Sequence, residues 1–439
     1  MKIAVIGVGY VGLVTGVTLS DIGHVVTCID VDPAKIVKLN QGIPTIYEPG
    51  LGALLQKNIE VERLYFTADH KKGLEGAEVV YIAVGTPQRE DGAANLDYVE
   101  QAARDIAANI NRGIIVVIKS TVPVGTNVHI KNLINQNTID GVRVQIASNP
   151  EFLREGSAIK DTFHGDRIVI GTEDKETADI LEEINKPFNV PILKTDIASS
   201  EMIKYSSNAF LATKISFINE IANLCESLGA NVEEVARGMG LDHRIGPDFL
   251  RAGIGYGGSC FPKDTNALVQ LAGNARHEFN LLESVIEVNN NQQVLLIDKI
   301  MSRFGTIENK KVAVLGLAFK PKTDDLRESP SLVMIPRLAE LGANIIAYDP
   351  IAVPNARKHL STAIEYTESL DEALRDTDFA VIITDWPEVK TIDLSAFSKL
   401  MRTPVVFDGR NCYSLDAVKK SAVEYYSIGR PSHTPEPIG

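Results

Sequence analysis

Two stretches near opposite ends of the chain repeat one pattern, and that repeat limits the fold more than any other feature. "KIAVIGVGYVG" (residues 2–12) and "KKVAVLGLAFKP" (310–321) are each a short β-branched run ending on a glycine. Each is followed by an apolar run closing on an aspartate, "HVVTCID" and "NIIAYDP", and then by a third run, "AEVVYIAVGTP" and "TDFAVIITDWP". Runs that are apolar at every position and alternate with helical patterns are strands buried on both faces, as in a parallel sheet flanked by helices. "GIIVVIKSTVP" and "VRVQIASNPE" extend the first set. The expected fold class is α/β, with two Rossmann-like, doubly wound parallel-sheet domains.

Between the repeats the texture is helical. "SSEMIKYSSNAFLATKISFINEIANLCESLG" places Ile203, Phe210, Ile218 and Ile221 among other apolar residues at helical spacing, with Ser199 and Ser200 as expected caps. We divide the 439 residues into 1–195, 196–305 and 306–439, with the central region joining the two sheets. No apolar run approaches the roughly 18 residues that cross a bilayer, and "MKIAVIG" becomes strand at once, without a signal-like leader. Cys28, Cys225, Cys260 and Cys412 lie far apart, in no CxxC or metal-ligand spacing. Free thiols, no bound metal and a cytoplasmic location are therefore expected. A formal net charge of −13 argues against nucleic acid and anionic membranes as partners.

Gly7-x-Gly9-x-x-Gly12 closes a strand and opens a helix, and Asp30 ends the next strand. The fingerprint for a dinucleotide has these parts, with the acidic residue about 20 residues on. The glycines admit the pyrophosphate to the helix terminus. Asp30 accepts from the adenosine ribose and repels a 2′-phosphate, which favours NAD over NADP, and Lys35 lies near that end. The plainer alternative is a glycine turn that only packs helix on sheet. In the third region Gly316 is followed by Leu317-Ala318-Phe319-Lys320, without the later glycines, so a different nucleotide is expected there. Thr86 and Thr121 follow apolar strands at the edge where such sheets bind ligands. Glu151 and Glu155 follow another strand end, where a carboxylate acts as base through a water or caps a helix.

Lys204 and Asn208 are four residues apart and share a helix face. In an apolar stretch their natural use is to stabilise an oxyanion. Cys260 in "GYGGSCFPKD" precedes Pro262, which suits the first turn of a helix, and a thiol there has its thiolate stabilised. Asp264 falls one turn on, and the glycines are expected to let substrate approach. Cys28, Cys225 and Cys412 read as small buried hydrophobes. Removing a hydride from an alcohol needs no thiol. Removing a second from the aldehyde needs a nucleophile to make the carbon tetrahedral, and a thiolate does so. A thiol beside a nicotinamide site thus points to a four-electron oxidation of a primary alcohol to an acid, with Asp264 orienting the thiol or the hydrolytic water.

"GVGYVG", "KSTVPVGT", "NPEFLREGSAI", "EMIKYSSNAF", "GYGGSCFPKD" and "GLAFKPKTDDLRES" closely resemble the nucleotide-sugar 6-dehydrogenases, the UDP-glucose/GDP-mannose dehydrogenase family, from Lys2 to about Tyr413. The resemblance implies NAD as cofactor, UDP-glucose as substrate, oxidation at C6 to UDP-glucuronate and a homodimer built on the central helices. It implies Cys260 as nucleophile, Lys204 as oxyanion stabiliser, Asn208 and Asp264 as supporting groups, and Thr121 with Glu151 holding a water. The cofactor set so implied is Gly7, Gly9, Tyr10, Val11, Gly12, Asp30, Lys35, Thr86, Thr121, Glu155, Lys263 and Arg327. The substrate set is Glu151, Phe152, Leu153, Arg154, Glu155, Lys204, Asn208, Phe249, Arg251, Tyr256, Gly257, Phe319, Lys320 and, more weakly, Arg410, with Arg327 also bordering it and Arg244 donated by a neighbouring subunit. GDP-mannose and N-acetylated UDP-sugars are alternative substrates of the same architecture. Simpler β-hydroxyacid or phosphogluconate-type dehydrogenases share the Lys-x-x-x-Asn but need neither Cys260 nor a third domain. A non-catalytic nucleotide-sugar sensor is the rival from another class. The tail "PSHTPEPIG" matches nothing and is expected to be disordered.

Overall fold

The computed structural model describes residues 1–139, 141–360 and 364–435. The chain forms two compact units, Met1–Ser207 and Asn208–Gly439. One helix, Ile197–Leu228, spans their junction.

The first unit contains β1 (Lys2–Ile6), β2 (Val25–Ile29), β3 (Leu64–Thr67), β4 (Val79–Ile82), β5 (Ile115–Ile118), β6 (Gln145–Ser148), β7 (Ile168–Gly171) and β8 (Ile192–Thr195). They lie in the order β3-β2-β1-β4-β5-β6-β7-β8, parallel except where β7 meets β6 antiparallel at Ser148 and Gly171. β4 and β5, "VVYI" and "IVVI", are buried at every residue because helices cover both faces. The Tyr10–Asp21 helix after β1 is buried along nearly its whole length rather than along one stripe. It lies so close to β2 that a Cβ at Gly16 would fall 2.3 Å from the Cys28 sulfur.

The second unit contains β9 (Lys311–Leu315), β10 (Asn344–Tyr348), β11 (Glu365–Thr367), β12 (Phe379–Ile382), β13 (Val405–Asp408) and β14 (Glu424–Tyr426). Their order, β11-β10-β9-β12-β13-β14, repeats that of the first six strands of the other sheet. Both sheets reverse direction of winding between their first and fourth strands, and ligands bind beyond the strand ends at such points. The helices Val232–Gly240, Phe261–Asn274, Asn280–Gln292 and Leu295–Phe304 precede β9. Ile218, Ala222, Val232 and Leu296 join Val312, Phe379 and Phe407 in one apolar core.

Two local expectations are corrected. The long helix begins at Ile197, so Ser199 and Ser200 lie inside it. Asp196 caps it instead, its Oδ1 accepting from Ser199 N at 2.7 Å, while Ser200 is buried with Oγ 2.9 Å from Ser148 Oγ. An aspartate at this position offers a full negative charge to the free amides, which a serine does not. The expected disordered tail is paired as far as His433, which exchanges backbone hydrogen bonds of 2.8 and 2.9 Å with Tyr425. Residues 436–439 of that tail lie outside the described residues.

Candidate active site

The turn after β1 has the shape a dinucleotide needs. Gly7 has φ +96°, and a Cβ on it would meet the Ala83 carbonyl oxygen at 2.7 Å. One on Gly12 would meet Gly7 O at 1.9 Å, and one on Gly9 would meet nothing within 4 Å among the described residues. Two glycines are thus required by protein packing, and the middle one leaves room for a ligand to approach the backbone. Half-exposed Asp30 accepts from Val8 N (2.9 Å) and Asp32 N (3.0 Å), with acceptor capacity left over. Val11 packs into the core, and Lys35 lies in the first turn of the helix Pro33–Asn40, capped by Asp32. These residues fit NAD.

The counterpart of Asp30 in the second sheet, Asp349, is fully buried and saturated. Its Oδ2 accepts from Leu317 N (2.8 Å), Ala318 N (3.1 Å) and Trp386 Nε1 (3.0 Å), and its Oδ1 from Ile351 N (2.9 Å) and Ala352 N (2.8 Å). Gly316 keeps φ +95° against Thr384, as Gly7 does against Ala83. The turn survives there, but its acceptor is closed to a ribose.

Tyr10 turns its hydroxyl to Glu48, a buried carboxylate that accepts from Gly156 N (2.7 Å) and Ile159 N (3.4 Å). Gly156 N also lies 3.0 Å from the phenol oxygen. Burial, and then Glu48 and Glu155, push the Tyr10 phenol far above its usual range. This cluster ties the glycine-rich turn to residues 154–159. The sequence reading missed Glu48 because nothing in its local pattern marks a carboxylate with a distant partner.

The loops after β4, β5 and β6 converge. Thr86 Oγ1 donates to the Thr121 carbonyl at 2.9 Å. Glu201, on the long helix, holds the loop after Thr121 through Gly125 N (2.7 Å) and Asn127 N (2.9 Å). Glu151 is buried, with Oε1 2.9 Å from Lys204 Nζ and Oε2 accepting from Leu153 N at 2.6 Å. Burial alone would raise the Glu151 carboxyl. The Lys204 charge and hydrogen bond, with help from Leu153 N and Lys119, hold it below the usual carboxylate range. The Phe152 ring lies 5.5 Å from Lys204 Nζ and carries the Arg167 guanidinium 3.7 Å from its centroid. Exposed Arg154 reaches Asp161 with Nε (3.0 Å) and Nη2 (2.6 Å). Arg167, in "FHGDRIVIG", was also missed, since a lone arginine before a strand carries no pattern.

In the second unit Cys260 is the N-cap of the helix Phe261–Asn274, half-buried, with Sγ 3.7 Å from Ser259 Oγ. Its carbonyl accepts from Asp264 N at 2.8 Å. Buried Asp264 accepts from Asn208 Nδ2 at 2.6 Å, and its other oxygen pairs with Lys263. Two of the glycines before Cys260 are required by packing within the protein. A Cβ on Gly257 would fall 2.1 Å from Glu328 O, and one on Gly258 2.7 Å from the Phe319 ring. They let this loop press against residues 319–328, where Gly258 N donates to Arg327 O at 2.9 Å. Tyr256 is buried, its phenol pushed up to about 12 by that burial, and its ring meets Phe261 edge-on at 5.8 Å. Phe249, at φ +63°, lies 6.2 Å from the same ring.

Arg410 donates to Ile383 O (2.7 Å) and Gly255 O (3.0 Å), while its Nη2 is buried with no hydrogen-bond partner among the described residues. An unsatisfied guanidinium donor is costly unless an acceptor arrives, which suits an anionic ligand. Lys320 lies over the Phe319 ring at 5.3 Å. Arg251 reaches Asp385 (3.1 Å) and Arg410 O (3.2 Å), and Arg327 forks onto Asp325. Arg244 is exposed and forks onto Asp242. Among the other thiols, Cys28 and Cys225 are buried as expected, and burial pushes Cys28 up to about 12. Cys412 is half-buried rather than buried, and its thiol is also pushed up.

No group of three or more His, Cys, Asp or Glu among the described residues forms a metal site, and no described helix is long and apolar enough to cross a membrane. The chain is 59% identical to a UDP-glucose 6-dehydrogenase of Bacillus subtilis (strain 168), covering 99% of both chains. It is 48% identical to a UDP-glucose 6-dehydrogenase of Rhizobium meliloti (strain 1021), over 98% of this chain and all of that one. A solved UDP-glucose dehydrogenase from Pyrobaculum islandicum superposes with a TM-score of 0.92 at 38% identity, covering 98% of each chain. Residues 1–189 match the NAD binding domain, 198–291 the central domain and 313–415 the UDP binding domain of one family model set. With the dinucleotide turn, the cysteine at a helix N-cap position and the two sheets of like strand order in place, these matches show that the chain belongs to the UDP-glucose/GDP-mannose dehydrogenase family.

Proposed function

We propose that the chain oxidises UDP-glucose at C6 to UDP-glucuronate in two NAD-dependent steps. The observation that carries this reading is Cys260, a half-buried thiol at the start of a helix in a member of a dehydrogenase family. Bound NAD supplies the hydride acceptor in each oxidation. The chain supplies the rest. The Lys204 ammonium offsets charge on the C6 oxygen as its proton leaves, and Glu151 with Thr121 holds the water that carries that proton away. The Cys260 thiolate adds to the aldehyde carbon to give a thiohemiacetal, and loss of the second hydride leaves a thioester. Water cleaves the C–S bond, returning the thiolate and releasing the carboxylate. The net reaction consumes one water and two oxidant molecules per alcohol and releases three protons. Asn208 and Lys263 hold Asp264 one helical turn from the thiol.

The preference for UDP-glucose over GDP-mannose or an N-acetylated UDP-sugar is supported by the names of the two curated relatives cited above. We further place the chain in the cytoplasm, as its free thiols suit, and assign a homodimer. Phe210, Phe217 and Leu224 recur every seventh residue on the long helix and stand 65%, 50% and 53% exposed, an apolar stripe suited to a second copy. The test is NADH release across a panel of UDP- and GDP-sugars, counted per sugar. Two NADH per UDP-glucose are expected. Turnover of GDP-mannose alone would move the substrate, and no NADH from any sugar nucleotide would leave the sensor reading.

A further inference from the structure

The loop from Arg251 to Cys260 is buried throughout residues 252–258, yet it is neither strand nor helix. Buried backbone of that kind must find its hydrogen bonds elsewhere. Gly253, Gly255, Gly257 and Gly258 also leave the loop many conformations, so its path has to be imposed from outside.

Side-chain amides impose it. Asn289 and Gln292 are three residues apart on the helix Asn280–Gln292 and share one face. Asn289 Oδ1 accepts from Tyr256 N at 2.7 Å, and its Nδ2 donates to Tyr256 O at 3.1 Å, as a neighbouring peptide group would. Gln293 adds a longer contact to the same carbonyl at 3.4 Å. Gln292 Nε2 donates to Gly253 O at 2.8 Å, and Asn219 Oδ1 accepts from Gly253 N at 2.9 Å. Asn223 Nδ2 donates to Gln292 Oε1 at 3.0 Å, which fixes which end of that amide faces the loop. Asn219, Asn289 and Gln292 are all buried. Gly255, at φ +84°, makes room for this contact, since a Cβ there would fall 2.7 Å from Asn289 Oδ1.

We propose that Asn289 and Gln292 are positioning residues for the sugar nucleotide, holding residues 253–256 in the path that presents Arg251, Tyr256 and Gly257 on the approach to Cys260. This rests on the proposed assignment of those three residues to the substrate. An apolar side chain at 289 or 292 would fill the same space but leave buried backbone groups unpaired, which favours other paths of the loop.

The experiment is steady-state oxidation of UDP-glucose by the intact chain and its variants, below their melting temperatures, with the affinity for UDP alone measured by calorimetry. N289A should raise KM for UDP-glucose and weaken UDP by about tenfold each, as for loss of two hydrogen bonds. KM for NAD, whose glycine turn lies on the other sheet, should stay within about twofold. Q292A removes one bond to the loop and should shift the same two quantities by about threefold, so it decides the matter if N289A does not fold. N290A, at the exposed neighbour, should change neither. A purely structural role would lower Tm and leave both quantities at their wild-type values. That result in N289A and Q292A, or an equal shift in N290A, would overturn the proposal. Should no sugar nucleotide be oxidised, UDP affinity still separates the variants. A wild-type chain that binds no UDP would overturn the assignment of the loop and the proposal with it.

Discussion

Asn208 donates its side-chain amide to Asp264 Oδ2 across 2.6 Å, and both groups are buried. With Lys263 on the other oxygen, the carboxylate is fixed one turn from Cys260. Asp264→Asn would set amide against amide and leave a buried donor unpaired, at a cost of about 1–3 kcal/mol. We expect kcat to fall by about a hundredfold with Tm lowered by only a few degrees. Steady-state NADH production beside a thermal melt separates the two, and a melt unchanged together with unchanged kcat would remove Asp264 from the reaction.

Cys260→Ala should separate the two oxidations. The first needs no thiol, so at most one NADH per sugar should form, and acid production should fall by several powers of ten. Supplied with the 6-aldehyde and NADH, the variant should still make alcohol. A mutant that releases acid at near wild-type rate would show the thiol to be packing only.

Asp30→Ser should narrow the preference for NAD over NADP by removing a like charge from the 2′-phosphate. Asp30 also accepts from Val8 N at 2.9 Å, so the variant should lose about 1 kcal/mol of stability. Comparable kcat/KM for both cofactors in the wild type would remove the premise.

Glu151 carries a pH signature. Its carboxyl is held below the usual range in the folded chain, so it contributes stability that is present above the unfolded carboxylate pKa and lost as pH falls through the folded one. Glu151→Gln should therefore flatten part of the acid limb of the stability curve between neutrality and pH ~3. Chemical unfolding across that window measures it, and identical slopes would mean that Lys204 does not hold the carboxylate.

Arg244 forks onto Asp242 of its own chain and is 78% exposed, in a position to be lent elsewhere. Arg244→Ala should weaken UDP-glucose binding. Mixed with Lys204→Ala, it should regain up to a quarter or so of activity in hybrid dimers, as expected for one intact site in a C₂ pair. Light scattering that finds only monomer would rule this out.

Much of this was legible because the chemistry is local. A strand, a glycine turn and an aspartate lie within one βαβ unit, and Cys260, Pro262 and Asp264 lie within one helical turn. What was missed depends on distance along the chain. Glu48 meets Gly156, Lys119 meets Asn149, and Arg167 stacks on Phe152, and none of these pairs leaves a periodic trace. The short strand β8, "ILKT", left no trace either: it has no fully buried residue, so it lacks the apolar run that marks a central strand. The glycines of "GYGGS" were expected to admit substrate, while the packing of Gly257 and Gly258 against Glu328 and Phe319, far along the chain, left no local trace.

The saturation of Asp349 bears on how the two sheets could have diverged. Reinstating Gly-x-Gly-x-x-Gly after β9 would recover the outline of a dinucleotide turn but not its acceptor, since five donors, including the Trp386 indole, already occupy that carboxylate. Reversion would require releasing the indole and rebuilding the loop at once, a passage through less stable intermediates. Specialisation of the second sheet is thus guarded by a ratchet of internal hydrogen bonds, and single substitutions at the glycine positions should leave its ligand preference where it is.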